Sequence, residues 1–167
     1  MPDLREQLEV CFQGRVCLMG LGNTDYGDDG FGVRLAEALA EAGAPDVVVA
    51  GTTPDRFVGR VAGESFDHLI FLDAVEFGGA PGSAVFLNAE EMAARFPQIS
   101  THKISLGLLA KWAEARGSMR AWLLGVQPES LRHSAGLTPT VQRTLEALVE
   151  LLSEMPACAS VQSALVC

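Results

Sequence analysis

Basic residues are scarce in this sequence: 12 Lys and Arg stand against 21 Asp and Glu, for a formal net charge of −9. A surface this acidic repels phosphate backbones and anionic lipid headgroups, so no nucleic-acid partner and no membrane partner are expected. Long apolar runs are missing as well. No stretch is long enough to span a bilayer, and Met1-Pro2-Asp3-Leu4-Arg5-Glu6 lacks the apolar core of a signal peptide. Cysteine is sparse and unpatterned: Cys11, Cys17, Cys158 and Cys167 form no CxxC pair and no disulfide framework of the kind found in small secreted domains. Internal repeats and interdomain linkers are absent too. The expectation is a soluble, cytoplasmic, single-domain protein.

The 167 residues are 49% apolar and 20% charged, with a mean hydropathy of +0.23. That is the composition of a folded chain, and one near 150 residues hides about 70% of its unfolded surface without staples. Residues 1–14 read as a polar lead-in, 15–155 as one α/β domain, and 156–167 as a loose tail of small, uncharged residues. Within the domain, Arg15 to Met19 reads as a buried strand ending in the turn Gly20-Leu21-Gly22-Asn23. Asp28-Asp29 opens a helix running to about Gly43, its buried stripe marked by Phe31, Leu35 and Leu39. Asp46 to Ala50 is a second strand, and Thr53-Pro54 carries the N-cap signature of a short helix. Leu69 to Leu72 is a third strand running into Asp73. Ser83 to Leu87 is a fourth, followed by a short acidic helix around Glu90 and Glu91. A helix from about Ile104 to Ala115 leads to a fifth strand, Met119 to Val126. The last long helix starts at Thr138-Pro139, with Val141, Leu145, Leu148 and Leu152 at helical spacing.

Continuous apolar strands alternating with helices predict a three-layer α/β/α sandwich around a twisted, mostly parallel five-stranded sheet. In such folds the functional crevice lies at the carboxyl ends of the strands. The glycine turn, Asp73 and Gln127-Pro128 all fall on that edge.

The glycine loop is not a phosphate cradle. Gly20 and Gly22 lack the third glycine of a dinucleotide fingerprint, whose position holds Asp25. Gly22 and Gly27 stand at P-loop spacing, but Asp28-Asp29 replaces the lysine and hydroxyl residue that meet phosphate charge. With Asp25, the loop carries three carboxylates and is suited to face a cation. One aspartate at a helix start caps free N–H groups, worth about 1 kcal/mol, while its neighbour points elsewhere. Asp73 is a lone acid at the end of an apolar strand, costly there unless paired, solvated or metal-bound. Of three histidines, His68 and His133 read as surface residues, whereas His102 precedes a helix within reach of the crevice. A carboxylate from the first loop, one from the third strand and an imidazole make a mixed O,O,N set suited to Zn²⁺ or Ni²⁺. No HExxH spacing and no GxSxG elbow is present.

At these residues the sequence resembles the NiFe-hydrogenase maturation endopeptidases, which trim the C-terminus of the hydrogenase large subunit. The resemblance rests on Gly20-Leu21-Gly22-Asn23 with Asp28-Asp29-Gly30 and Gly32-Val33, then Leu72-Asp73-Ala74, Ser100-Thr101-His102, Gly125-Val126-Gln127-Pro128-Glu129-Ser130 and Gly136-Leu137-Thr138-Pro139, in that order. It covers about residues 15–153. It departs where Ala50 precedes Gly51-Thr52, a place where family members often carry an aspartate. The resemblance implies a metal-binding triad at Asp29, Asp73 and His102, an α/β/α fold, and nickel as the cofactor, borne by the precursor that is cut. Asp28 and Gln127 are candidate substrate-binding residues, and the partner is the precursor of a NiFe-hydrogenase large subunit. The rivals are a self-contained Zn-dependent protease or amidase and a non-enzymatic nickel carrier or assembly factor. No serine or cysteine nucleophile is expected, and the general base is left open between the carboxylates.

Overall fold

The structure is a computed structural model that describes residues 2–96 and 105–156. Among these residues five strands form one sheet: β1 (Val16–Leu21), β2 (Val47–Gly51), β3 (His68–Ala74), β4 (Ala84–Asn88) and β5 (Arg120–Val126). Their order is β2-β1-β3-β5-β4. The first four run parallel, and β4 joins the edge antiparallel to β5. The helices are α1 (Leu4–Cys11), α2 (Phe31–Glu41), α3 (Asp55–Ala62), α4 (Ala89–Arg95), α5 (Leu106–Ala115) and α6 (Pro139–Ser153). None of them is long and apolar enough to cross a membrane.

Side chains alternate across the sheet with period two, and both faces of the three central strands are largely buried. Met19, Leu69, Phe71 and Leu123 pack against Val58 of α3, Met92 of α4 and Leu109 of α5. The intervening Leu18, Ile70, Leu72 and Leu124 pack against Leu8 of α1, Leu35 of α2 and Leu148 of α6. The expected three-layer α/β/α sandwich is therefore present, and double-sided burial is why the central strands read as unbroken apolar runs.

The segment read as a polar lead-in folds as α1. Asp3 and Glu6 form a reciprocal capping box, with Glu6 N–H donating to Asp3 Oδ1 at 2.8 Å and Asp3 N–H to Glu6 Oε2 at 3.2 Å. Leu8, Cys11 and Phe12 are buried on the α2–α6 side of the sheet. The signal was visible as an acid three residues before a glutamate, followed by apolar residues at helical spacing. At α3 the N-cap is Pro54 with no side-chain cap, one residue beyond the expected Thr53, whose hydroxyl instead donates to the Ala50 carbonyl at 3.4 Å. The tail expected to be loose lies outside the described residues from 157 onward.

Candidate active site at the switch point

The chain leaves β1 through α2 to reach β2 on one side, then crosses through α3 to β3 on the other. Helices α2 and α3 lie on opposite faces. The carboxyl ends of β1 and β3 are thus a topological switch point, where an open parallel sheet leaves a crevice. Two glycines bring the acidic loop down onto it. At Gly32, near the start of α2, a Cβ would lie 1.9 Å from the Leu72 carbonyl oxygen and 2.4 Å from that of Leu21, so only a bare backbone fits over both strand ends. At Gly22, with φ +121°, a Cβ would lie 1.8 Å from the Asp29 carbonyl oxygen and 3.8 Å from Asp73 Oδ1. Asp29 and Asp73 consequently flank one small residue, one from the loop after β1 and one from β3.

Asp29 sits in a 3-10 turn, Gly27–Gly30, that precedes α2. The residue is 7% exposed, and its Oδ2 accepts the Asn23 N–H at 2.9 Å. Together with Asn23, Tyr26, Thr52 and Leu131 it lines a cavity of about 320 Å³. Asp73 is 3% exposed and lies within β3, opposite Gly125 of β5, one residue before the strand ends. The Asp29 backbone and the Asp73 carboxylate thus meet at Gly22, and of the two residues Asp29 lines the cavity. His102, the third expected ligand, lies outside the described residues, and among those described no group of three His, Cys, Asp or Glu side chains stands ready to hold a metal.

The two expected substrate-binding residues have other work. Asp28 is fully buried, and its carboxylate accepts the N–H groups of Glu129, Ser130 and Thr138 at 2.9, 3.0 and 2.8 Å, with the Thr138 hydroxyl donating as well. It presents no surface to a substrate, and it does not cap its own helix. Gln127 is 8% exposed, and its Oε1 accepts the N–H groups of Phe77, Gly78 and Gly79 at 2.9, 3.1 and 3.3 Å. It organises the loop after β3, and it does not line the cavity that holds Asp29.

The other titratable candidates separate cleanly. His68, expected on the surface, is half-buried at the amino end of β3, far along the strand from Asp73. The Trp122 indole N–H donates to its Nδ1 at 3.0 Å, and desolvation lowers its pKa from the ordinary 6.5. His133 is exposed as expected and meets Tyr26 edge-on, with ring centroids 5.6 Å apart. Burial pushes the Cys11 thiol up to about 11 and Cys17 to about 12, so neither supplies a thiolate at neutral pH. Cys158 and Cys167 lie outside the described residues. Sequence reasoning missed Tyr26, Thr52 and Leu131. Leu131 did leave a trace, as a large apolar residue inside an otherwise polar loop.

An α/β/α sandwich with two buried aspartates at its switch point and no activated thiol among the described residues defines a hydrolase candidate without a cysteine nucleophile there. The chain belongs to the hydrogenase maturation protease family, which it matches over residues 33–155, and it is an endopeptidase of that kind. The hydrogenase 2 maturation protease of Escherichia coli K12 is 37% identical over 144 residues, covering 81% of this chain and 87% of the relative. Among solved structures, a NiFe-hydrogenase maturation protease HycI from Thermococcus kodakarensis superposes with a TM-score of 0.79 at 31% identity, covering 92% of this chain and 99% of that one. The Escherichia coli hydrogenase maturating endopeptidase HybD superposes at 0.71 with 32% identity, over 90% and 93% of the two chains.

Proposed function

We propose that this protein removes a C-terminal peptide from the nickel-loaded precursor of a NiFe-hydrogenase large subunit. The observation that carries the reading is the meeting of the Asp29 backbone and the Asp73 carboxylate at Gly22, next to the cavity of about 320 Å³ that Asp29 lines. In this reading the two carboxylates dock the precursor through the nickel it carries, and His102 completes the set. The nickel is part of the substrate, and when bound it polarises a water or the scissile carbonyl. The chain's own residues then do three things. Asn23 holds the Asp29 carboxylate in place through its N–H. Asp73, buried at the carboxyl end of β3, supplies the second carboxylate. Tyr26, Thr52 and Leu131 wall the cavity and limit the water beside the scissile bond.

The test is a mass assay on a large-subunit precursor with and without nickel, using the parent protein, Asp29→Ala and His102→Ala. Release of a C-terminal peptide only from the nickel-loaded precursor, abolished in both variants, is the expected result. Full activity of His102→Ala overturns the docking set. Cleavage regardless of nickel, with stoichiometric metal in the purified enzyme, establishes a resident-Zn protease instead. Binding of the loaded precursor without release of any peptide establishes a carrier.

A further inference from the structure

We propose that Asp28 is a positioning residue: its carboxylate clamps the loop over residues 129–138 against the glycine loop and thereby sets the wall that Leu131 forms beside Asp29. The inference rests on the proteolytic reading above. One fully buried carboxylate grips both ends of that loop. Oδ2 accepts from Glu129 N–H at 2.9 Å and Ser130 N–H at 3.0 Å at its start, and Oδ1 accepts from Thr138 N–H at 2.8 Å at its end. The Thr138 hydroxyl lies 3.1 and 2.9 Å from the two oxygens. Backbone bonds back up the grip: Asp28 N–H donates to the Ser130 carbonyl and Gly27 N–H to that of Ser134, each at 3.0 Å, while Ser134 N–H donates to Asp25 at 2.9 Å.

Between the gripped ends, residues 131–136 are exposed. Two of the residues that give the Asp29 cavity its apolar lining depend on this arrangement. Leu131 follows Ser130 directly, and Tyr26 is bridged to Ser134 and set edge-on against His133. A carboxylate suits the task because it only accepts, offers about four lone-pair sites, and binds N–H donors roughly twice as strongly as a neutral acceptor does. Asparagine has one oxygen, and its amide hydrogens would face N–H groups. Asp28 touches no substrate; it acts through Leu131, Tyr26 and the backbone it shares with Asp29.

The experiment uses Asp28→Asn, Thr138→Val and Thr138→Ser, with trypsin cleavage after Arg132 and steady-state kinetics on the nickel-loaded precursor as readouts. Asp28→Asn should speed the tryptic cut and raise KM roughly tenfold or more, the scale of a lost charge-assisted hydrogen bond, with kcat much less affected. Thr138→Val should do the same more weakly, and Thr138→Ser should restore parent behaviour. Leu131→Ala should raise KM in the parent background but add little in Asp28→Asn, since neighbours acting as a unit are not additive. Additive effects of Leu131→Ala and Asp28→Asn overturn the proposal, as does a folded Asp28→Asn with a protected Arg132 and an unchanged KM. If Asp28→Asn fails to fold, the Thr138 pair decides alone. A parent protein that cuts no precursor removes the proteolytic reading instead, and the tryptic arm still decides the clamp.

Discussion

Replacing Gly22 by alanine tests the geometry on which the site depends. The new Cβ would stand 1.8 Å from the Asp29 carbonyl oxygen, a backbone atom that cannot rotate away, and the contact must lengthen to at least 3.0 Å. The residue must also keep a φ of +121° that side chains rarely adopt. Backbone strain of about 1–3 kcal/mol and overpacking of about 1–3 kcal/mol together make roughly 2–6 kcal/mol, a large share of the roughly 5–15 kcal/mol that holds a domain folded. Gly43→Ala is the matched control. Its φ is +98°, yet nothing lies within 4 Å of the new atom, so strain acts there alone, at about 1–2 kcal/mol. Urea unfolding gives the two stability losses, and precursor processing gives the functional one. Gly22→Ala should lose more stability than Gly43→Ala and should lose processing even where it remains folded, because Asp29 moves relative to Asp73. Equal stability losses with normal processing in Gly22→Ala would refute the argument.

Other outcomes are as definite. Leu8→Ala should cost about 2–5 kcal/mol of unfolding free energy, the usual range for a fully buried leucine, whereas a dispensable lead-in would show almost none. Burial lowers the His68 pKa below 6.5, so the folded state holds the ring neutral where the unfolded chain begins to take up a proton. That contribution to stability is complete above pH 6.5 and declines as the pH falls through it. The ring's protonation also ends its acceptance of the Trp122 indole N–H. His68→Gln should therefore flatten the acid limb of the stability curve, and an unchanged limb would contradict the assignment. In a Cys158→Ser, Cys167→Ser background, Cys11 and Cys17 should resist thiol reagents at pH 8 until the protein is unfolded; rapid labelling of the native state would show the burial to be wrong.

Much of the fold was legible in the sequence because its signals are local. The runs Leu69 to Leu72 and Met119 to Val126, and the helical spacing of Val141, Leu145, Leu148 and Leu152, each reflect a single element packing into the core. Helix α1 went unread because eight residues carry only two turns of pattern and the polar ones dominate the average. At the site, Asp73 stood out because a lone carboxylate at the end of an apolar strand breaks a local rule, whereas Asp29 was singled out from Asp28 only by the family resemblance. The roles of Asp28 and Gln127 were not identifiable. Their partners lie 48 to 110 residues away along the chain, and no local pattern encodes which N–H groups a carboxylate or amide will meet.

The amino-acid sequence by itself determined the alternation of strands and helices, the burial of both sheet faces, and the acidic character of the first loop. These follow from side-chain periodicity and charge, which act over a few residues. Only the tertiary structure decided which of two adjacent aspartates lines the cavity and which is sealed behind it. That choice turns on the 129–138 loop, which closes over Asp28 and leaves Asp29 beside Leu131. Neighbouring residues in a tight turn point in different directions, and only the packing of a distant segment assigns one direction to the interior and the other to the crevice.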